Sequence, residues 1–339
     1  SDRMSGGPFQ SVKKSVVPWP TAGQYNEAVQ NLRVSMSDPE LRGGEAVAEP
    51  GKMPMPYAGN FADVYQVHCA ETGNRWAVKF FKWEIPDLHD RYRAISECLD
   101  QARLPFMVDF RFLDEGVRIS GRWYPIVKMR WIEGQSLNQF VSQSLGQPVM
   151  LDQLFNLWVK VAERLRSAGI AHADLQHGNV VLVPKDDQGR LLLKLIDYDG
   201  MHVPALASQP SREMGHRNYQ HPDRERQGIY SVEVDRFSHL AICCALRCLR
   251  VGGRPLWERF DDGDNLLFTR QDFLNPSEST LLRELWTLRD ADAHALVGHL
   301  SLATQRPLDQ CPLLEELVRD GRVRPLTVDK QRAAAALLG

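Results

Sequence analysis

The chain has 339 residues, 43% of them hydrophobic and 25% charged, which is typical of a globular protein with a sizeable core. Its formal net charge of −2 does not favour nucleic acid as the main partner. No apolar run is long enough for a membrane span, and the six cysteines show no paired metal-binding spacing. We therefore expect a cytoplasmic protein without a disulfide framework.

The first 50 residues are predicted to form a partly helical extension, residues 1–50, that packs on the rest of the chain. Thr21 to Gln24 and Ser37 to Glu40 both match the S/T-x-x-E/Q capping box that begins many helices. Apolar residues around the first box recur at helical spacing, which a disordered segment rarely shows. They include Trp19, Tyr25, Val29 and Leu32.

The next part of the chain, residues 51–135, is predicted to contain strands and one helix. The segments ADVYQVHC and RWAVKFFK have strand patterns, and Thr72-Gly73-Asn74 forms a turn between them. A helix is predicted from about Pro86 to Arg103. The segments FMVDFRFL and RWYPIVKMRW that follow it have strand patterns as well.

Residues 136–320 are predicted to be mainly helical, and residues 321–339 to form a C-terminal tail. A helical pattern in LDQLFNLWVKVAERLRSAG ends at Gly169, a favoured C-cap residue. A hairpin of NVVLV and LLLKLID interrupts the helices, and the apolar segment 234–249 predicts a buried helix. Strands in the first part and helices in the second predict an α+β protein with two lobes.

Polar side chains gather at one end of the predicted hairpin. Asn179 precedes its first strand and Asp197 follows its second, so the two should lie side by side. Asp174 is on the same loop as Asn179. Two carboxylates and an amide oxygen suit a hard cation such as Mg²⁺. The alternative is a capped, solvated hairpin end with no ligand.

A phosphate-binding pattern lies upstream, in the first pair of strands. Gly59 comes just before a strand, where backbone N–H groups can approach phosphate oxygens, and Lys79 lies inside the next strand. A lysine among apolar neighbours is costly without a partner, and Glu97 in the following helix is the best candidate. Three other acids compete with it: Glu84, Asp87 and Asp90. The alternative is a lysine whose stem packs while its ammonium reaches water.

Together these motifs resemble the eukaryotic-like (Hanks-type) Ser/Thr protein kinase superfamily, over about residues 56–318. GNFADVY is similar to the glycine-rich loop, WAVK to the strand of the nucleotide lysine, and VKMRWIEGQSL to the hinge. HADLQHGN resembles the catalytic loop H-R-D-x-x-x-x-N, DYDG the metal-binding D-F-G, and MGHRNYQHPD the end of an activation segment. VDRFSHL resembles the start of the buried helix whose aspartate, here Asp235, braces the catalytic loop. The resemblance implies a bilobal fold, with an antiparallel sheet and one main helix in the N-lobe and a mainly helical C-lobe.

The resemblance also implies a role for each matched residue. Asp174 would orient the acceptor hydroxyl and take its proton, while Asn179 and Asp197 would hold Mg²⁺. Lys79, held by Glu97, would anchor the phosphates of ATP. Met129 would be the gatekeeper, with the backbone of Arg130 to Ile132 facing adenine. The nucleotide would be contacted by Gly59, Asn60, Val64, Ala77, Lys79, Met129, Arg130 and Ile132.

The glycine loop and the catalytic loop depart from the family pattern. Tyr57 and Ala62 stand where the outer glycines of the loop belong, and this predicts a stiffer loop with weaker nucleotide binding. Gln176 replaces a lysine that touches the transferred phosphate, and His177-Gly178 is similar to aminoglycoside- and choline-kinase-like relatives. Asp199 replaces the last glycine of D-F-G, either as a turn former or as a further metal ligand.

The activation segment also differs from the family pattern. Ala173 replaces the arginine beside the catalytic aspartate, which usually reads a phosphorylated activation segment. Between Asp197 and Asp223 the chain has no threonine, only Ser208 and Ser211. Control by phosphorylation of this segment is therefore not expected.

Three functions remain open at this point. ATP- and Mg-dependent phosphoryl transfer to Ser/Thr hydroxyls of a protein substrate is favoured by the intact catalytic set and by the GHRNYQHPD segment. A kinase-like phosphotransferase for a small molecule is favoured by Gln176-His177-Gly178. The altered glycine loop is compatible with a nucleotide-binding pseudokinase or scaffold.

Overall fold

The computed structural model describes residues 17–183, 187–209 and 213–339, which form two compact units. Unit 1 comprises the chain up to Pro86 together with Phe112–Met129, and unit 2 comprises Asp87–Arg111 and Arg130–Gly339. The strands are β1 (Glu45–Ala46), β2 (Tyr57–Ala58), β3 (Ala62–Cys69), β4 (Asn74–Phe81), β5 (Phe110–Ile119), β6 (Arg122–Arg130), β7 (Gln135–Ser136), β8 (Val180–Val183), β9 (Leu192–Leu195), β10 (Val318–Arg319) and β11 (Arg322–Val323).

Helices account for most of the second half of the chain. The helices are α1 (Ala22–Val29), α2 (Leu32–Ser35), α3 (Pro39–Arg42), α4 (Leu88–Ala102), α5 (Leu137–Ser144), α6 (Pro148–Ser167), α7 (Pro222–Gln227), α8 (Arg236–Phe260), α9 (Arg270–Leu274), α10 (Thr280–Trp286), α11 (Ala291–Ala303), α12 (Leu314–Leu317) and α13 (Val328–Leu338). The α+β class is confirmed, with the sheet towards the N-terminus and helices towards the C-terminus. In the described part of the chain, no helix combines the length and hydropathy that a membrane crossing needs.

Unit 1 is built on an antiparallel sheet whose strand order is β1-β3-β4-β6-β5, with β2 paired to β3. The last predicted pair of strands differs in its limits, because β5 begins at Phe110 and continues to Ile119. Ser120 and Gly121 both have positive φ and form the predicted turn into β6. The main helix α4 belongs by its contacts to unit 2, although the resemblance implies an N-lobe helix.

The N-terminal extension supplies a large share of the core of unit 1. Side chains of α1, α2 and α3 are buried together with the inward residues of β3 and β4, so the predicted packing is confirmed for this segment. The indole of Trp19 and the hydroxyl of Tyr25 both donate to the Phe81 carbonyl, at 2.7 and 2.8 Å. The buried residues include Tyr25, Val29, Leu32, Met36, Leu41, Tyr65, Val67, Val78 and Phe80. Residues 1–16 of the extension lie outside the described part.

One of the two predicted capping boxes is confirmed and the other is corrected. Thr21 and Gln24 form the reciprocal box that begins α1. At the second site Asp38 is the N-cap of α3 and accepts from the Leu41 N–H at 3.2 Å. Ser37 instead donates to the Glu115 carbonyl on β5, because Pro39 at the first helical position shifts the start by one residue.

Unit 2 packs helices around α8, which is buried along its first half. The predicted helix is confirmed and extends to Phe260, with a kink where Gly253 has φ 62° and Pro255 follows. Cys243, Cys244 and Cys248 are buried free thiols in its core, as expected of small apolar residues. The helix α6 ends as predicted, with Gly169 at φ 71°. The predicted hairpin forms from β8 and β9 in antiparallel register, and β7 adds a third strand.

Candidate active site

Three of the residues predicted to contact the nucleotide lie on one face of the β3–β4 hairpin. Val64 is directly opposite Lys79, and Gln66 is opposite Ala77. Alternate residues of a strand share a face, so Val64, Ala77 and Lys79 project on the same side of the sheet. All three are half-buried, whereas the other face carries the core of unit 1. The strand register thus brings these predicted residues together.

The glycine loop is a tight turn between β2 and β3. The Gly59 N–H donates to the Ala62 carbonyl at 2.9 Å, and the Lys82 ammonium donates to the Gly59 carbonyl at 2.5 Å. A Cβ at position 59 would lie 3.0 Å from the Ala62 carbonyl, which explains the single remaining glycine. Asn60 is exposed at the tip of the turn.

The predicted hinge follows directly from β6. Met129 and Ile132 are half-buried. The Arg130 N–H donates to the Asp109 carbonyl at 2.8 Å, so this donor is already in use. An adenine would therefore be expected to use the Arg130 carbonyl and the backbone of Ile132.

Asp235 holds the backbone of the catalytic loop in unit 2. Its carboxylate accepts the His172 N–H at 2.6 Å and the Ala173 N–H at 2.9 Å. The His172 Nδ1 accepts from the Asp174 N–H, so its Nε2–H donates to the Ile196 carbonyl at 2.8 Å. Ala173 has φ 73°, a conformation that costs an L-residue about 1–2 kcal/mol. The brace holds this strained turn in place.

Asp174 is held through both of its carboxylate oxygens. The His216 N–H donates to Oδ1 at 2.8 Å, and the Asn179 amide donates to Oδ2 at 3.2 Å. The same amide donates to the Asp174 carbonyl at 2.9 Å. Burial and the nearby negative charge of Asp197 raise the pKa of Asp174. A fixed carboxylate with a raised pKa is suited to accept a proton from a bound hydroxyl.

Asn179 and Asp197 meet at the open end of the β8–β9 hairpin, as expected. The Ile196 N–H donates to the Asn179 carbonyl at 3.0 Å, just beyond the Val180–Leu195 pair. The Asn179 amide nitrogen faces Asp174, which leaves its oxygen as the atom available to a cation. Two half-buried carboxylates that repel one another and an amide oxygen form a donor set that fits Mg²⁺.

A column of aromatic rings fixes the D-Y-D-G motif within unit 2. Tyr198 donates to the Leu195 carbonyl at 2.7 Å and accepts from the Val108 N–H at 2.9 Å. Its ring meets Phe110 edge-on at 5.4 Å, and Phe110 in turn contacts Tyr92 of α4 at 6.0 Å. This packing sets the direction of the chain at Asp197, where φ is 62°.

The structure does not support the role expected of Glu97. Its side chain is 66% exposed and pairs with Arg93 on the same helix at 3.3 Å. Glu97 lies about 200° around the helix from Ile95, which is buried, and this explains its exposed position. A carboxylate so open to water contributes little to fixing another side chain.

Arg91 is the residue of α4 that contacts the D-Y-D-G motif, and the prediction missed it. Its guanidinium donates to the Asp199 carbonyl at 2.9 Å, the Met201 carbonyl at 2.8 Å and the Tyr230 hydroxyl at 3.1 Å. A helical wheel could have found it, because Arg91 lies four residues before the buried Ile95.

Arg224 is a second arginine that the prediction missed, and it is only 1% exposed. Its guanidinium donates to the Ala173 carbonyl and to the Glu213 carbonyl, the latter at 3.1 Å. Burial lowers the pKa of Arg224, and the negative charges of Asp235 and Asp174 oppose that shift. The arginine joins the catalytic loop to the activation segment. No spacing in the sequence indicated this contact.

Comparison with known proteins agrees with these features. A family model described as a protein kinase domain matches residues 58–301, which is more than half of the chain. The matched span begins at the glycine turn and includes the catalytic loop, the D-Y-D-G motif and α8. No curated protein matches the chain.

Proposed function

Because the chain belongs to the protein kinase superfamily, we propose that it transfers the γ-phosphate of ATP to Ser/Thr hydroxyls of a protein substrate with the help of Mg²⁺. The observation that carries this proposal is the geometry of Asp174. Its two oxygens are oriented by His216 and Asn179, beside the carboxylate of Asp197. A site without catalytic activity does not require Asp174 to be oriented by these two hydrogen bonds.

In the proposed reaction each residue has a defined task. Asp174 accepts a hydrogen bond from the acceptor hydroxyl and takes its proton as the oxygen attacks the γ-phosphorus, while the bond from that phosphorus to the bridging oxygen breaks and ADP leaves. Asn179 and Asp197 hold Mg²⁺, which neutralises charge on the phosphate oxygens. Lys79 adds positive charge at the face of the sheet that carries Val64 and Ala77. Positioning and charge neutralisation supply most of the catalysis in such reactions. Glu97 has no part in the proposed site.

A protein substrate is supported by the order of the activation segment near the catalytic loop. His216 is in the GHRNYQHPD segment and holds Asp174 directly. Arg224 holds the Glu213 and Ala173 carbonyls together. A segment fixed in this way provides a surface along which an extended peptide could present its hydroxyl to Asp174.

A non-catalytic, nucleotide-binding role is the second candidate. The altered glycine loop favours it, because Tyr57 and Ala62 stand where the outer glycines of the family loop belong. The two candidates differ in one outcome: the scaffold binds Mg²⁺–ATP without transferring phosphate.

The test is a transfer assay with γ-labelled ATP, generic protein substrates and the chain itself as acceptor. We expect labelled phosphoserine or phosphothreonine with the parent and none with Asp174→Asn. A labelled small hydroxyl compound without labelled protein would favour the small-molecule phosphotransferase. Nucleotide binding without any transfer would favour the scaffold.

A further inference from the structure

Two imidazoles and a carboxylate converge beside the catalytic loop, and the proposed phosphoryl transfer gives these three side chains no task. His177 is in the catalytic loop, His216 in the activation segment, and Asp264 in the loop after α8. One ligand atom from each lies within 4.8 Å of the other two. The imidazoles are half-buried, and the carboxylate is 74% exposed.

The distances between these ligand atoms fit a shared metal ion. His216 Nε2 is 3.1 Å and His177 Nε2 is 3.6 Å from Asp264 Oδ1. The second distance is too long for an N–H···O hydrogen bond. Two ligands of a tetrahedral Zn²⁺, each about 2.0–2.1 Å from the ion, are separated by ~3.3 Å. The observed distances lie on either side of that value.

The surroundings hold the three side chains in place. His177 Nδ1 is 2.7 Å from the Tyr219 hydroxyl, which can accept its N–H and leave Nε2 free to bind a metal. The Asn218 amide donates to the Asp264 carbonyl at 3.0 Å, and the Asp264 N–H donates to Asp262 at 2.8 Å. An exposed carboxylate on such a fixed backbone is available to a ligand without a large loss of entropy.

We propose that His177, His216 and Asp264 bind one divalent transition metal ion of the Zn²⁺ type. Two imidazoles and a carboxylate are a ligand set that favours Zn²⁺ over Mg²⁺, which prefers oxygen. Three protein ligands leave a fourth position for water. The ion joins the activation segment to the catalytic loop. By holding His216 in place, the ion also fixes the position of the backbone N–H that donates to Asp174.

Metal binding changes the proton arrangement at His216. Its Nδ1 accepts from the Asn218 N–H at 3.2 Å, so the neutral ring carries its proton on Nε2, facing Asp264. The ion takes the place of this proton, and a proton then occupies Nδ1, so that the bound imidazole stays neutral. The hydrogen bond that metal binding weakens runs from the Asn218 N–H to His216 Nδ1 and is long, at 3.2 Å.

The test is a titration of the full chain, stripped with a chelator, with Zn²⁺ against a competing indicator dye. We expect one site per chain in the parent. Asp264→Asn and His216→Gln should each lower its affinity by at least about tenfold, because even changes outside the ligand set cost that much. His68→Gln, which alters an exposed histidine on β3, is the matched control and should bind as the parent does.

Substitution with Co²⁺ gives an independent readout. A tetrahedral nitrogen and oxygen site should give visible d–d absorption with the parent, and this should be lost in Asp264→Asn. Melting curves in chelator confirm that the variants fold. Binding by both variants as tight as that of the parent, or no stoichiometric site in the parent, would overturn the proposal. Neither outcome bears on phosphoryl transfer, so the two proposals are tested separately.

Discussion

Arg224 contacts the catalytic loop at Ala173, the position where the family pattern has an arginine. The arginine usually found beside the catalytic aspartate is absent, because Ala173 occupies its place. Arg224 approaches from α7 instead and donates to the Ala173 and Glu213 carbonyls. This contact needs no phosphate, since both of its acceptors are backbone atoms. The contacts of Arg224 therefore fix the catalytic loop without a phosphorylated residue.

Arg224→Lys should lower the rate of phosphoryl transfer at least about tenfold while Mg²⁺–ATP affinity stays near that of the parent. A lysine ammonium lacks the planar fork that contacts two carbonyls, so the turn at Ala173 loses one support. The measurement is kcat together with nucleotide affinity. Arg226→Lys, an exposed change on the same helix, is the control. Equal kcat values for the two variants would contradict the positioning role.

Arg91 and Glu97 can be separated by a second pair of variants. Glu97→Gln should leave phosphoryl transfer within about threefold of the parent, because an exposed ion pair on a helix contributes little. Arg91→Met should lower it strongly, because the Asp199 and Met201 carbonyls lose their donor. Transfer rates at saturating ATP are the readout. A collapse in Glu97→Gln would restore the original prediction for that residue.

Among the secondary-structure elements, the N-terminal extension is tied by charge as well as by packing to the sheet of unit 1. Lys128, only 4% exposed in β6, pairs with Asp38 at 2.8 Å and Glu40 at 3.1 Å. Its ammonium also lies 4.2 Å from the centre of the Trp76 ring. Lys128 thus joins β6 to α3 and its N-cap through two charge-assisted hydrogen bonds. The extension and the strand that leads to Met129 are therefore coupled.

Glu40 provides a pH-dependent test of this coupling. Burial alone would raise its pKa, but hydrogen bonds from Thr72, Asn74, Trp76 and Lys128 lower it to about 2. The charged form thus stabilises the fold above the ordinary carboxyl pKa, and this contribution is lost as pH falls towards 2. Glu40→Gln should lower stability by about 2 kcal/mol at neutral pH, with a smaller deficit in acid.

Denaturant unfolding at several pH values measures this difference. Glu45→Gln, an exposed acid in β1, should match the parent throughout. A deficit that is independent of pH would show that Glu40 acts through packing alone, contrary to the expectation.

The two serines of the activation segment are not expected to control activity. Ser208→Ala combined with Ser211→Ala should leave basal transfer within a few-fold of the parent. Arg224 already holds the segment through backbone atoms, and Ser208 is exposed. Ser211 lies outside the described residues. A collapse of transfer in the folded double variant would indicate that another cation reads a phosphate there.

Across the whole molecule, sequence patterns predicted the structural features that depend on residues close together in the chain. The hairpin that brings Asn179 beside Asp197 was predictable, because strand period and antiparallel pairing determine which ends meet. The exposed position of Glu97 was not predictable, because sequence distance from Lys79 does not specify which face of α4 is buried. Arg224 and the cluster of His177, His216 and Asp264 depend on contacts between distant segments. No local pattern indicates such contacts.

We propose that Asp197 holds the metal of a bound nucleotide whereas Asp174 acts on the acceptor. Calorimetric titration of Mg²⁺–ATP into Asp197→Asn and Asp174→Asn tests it most directly. We expect Asp197→Asn to lose affinity by at least about tenfold, and Asp174→Asn to bind within about threefold of the parent while transferring no phosphate. Binding by Asp197→Asn as tight as that of the parent would contradict the metal assignment and favour the scaffold.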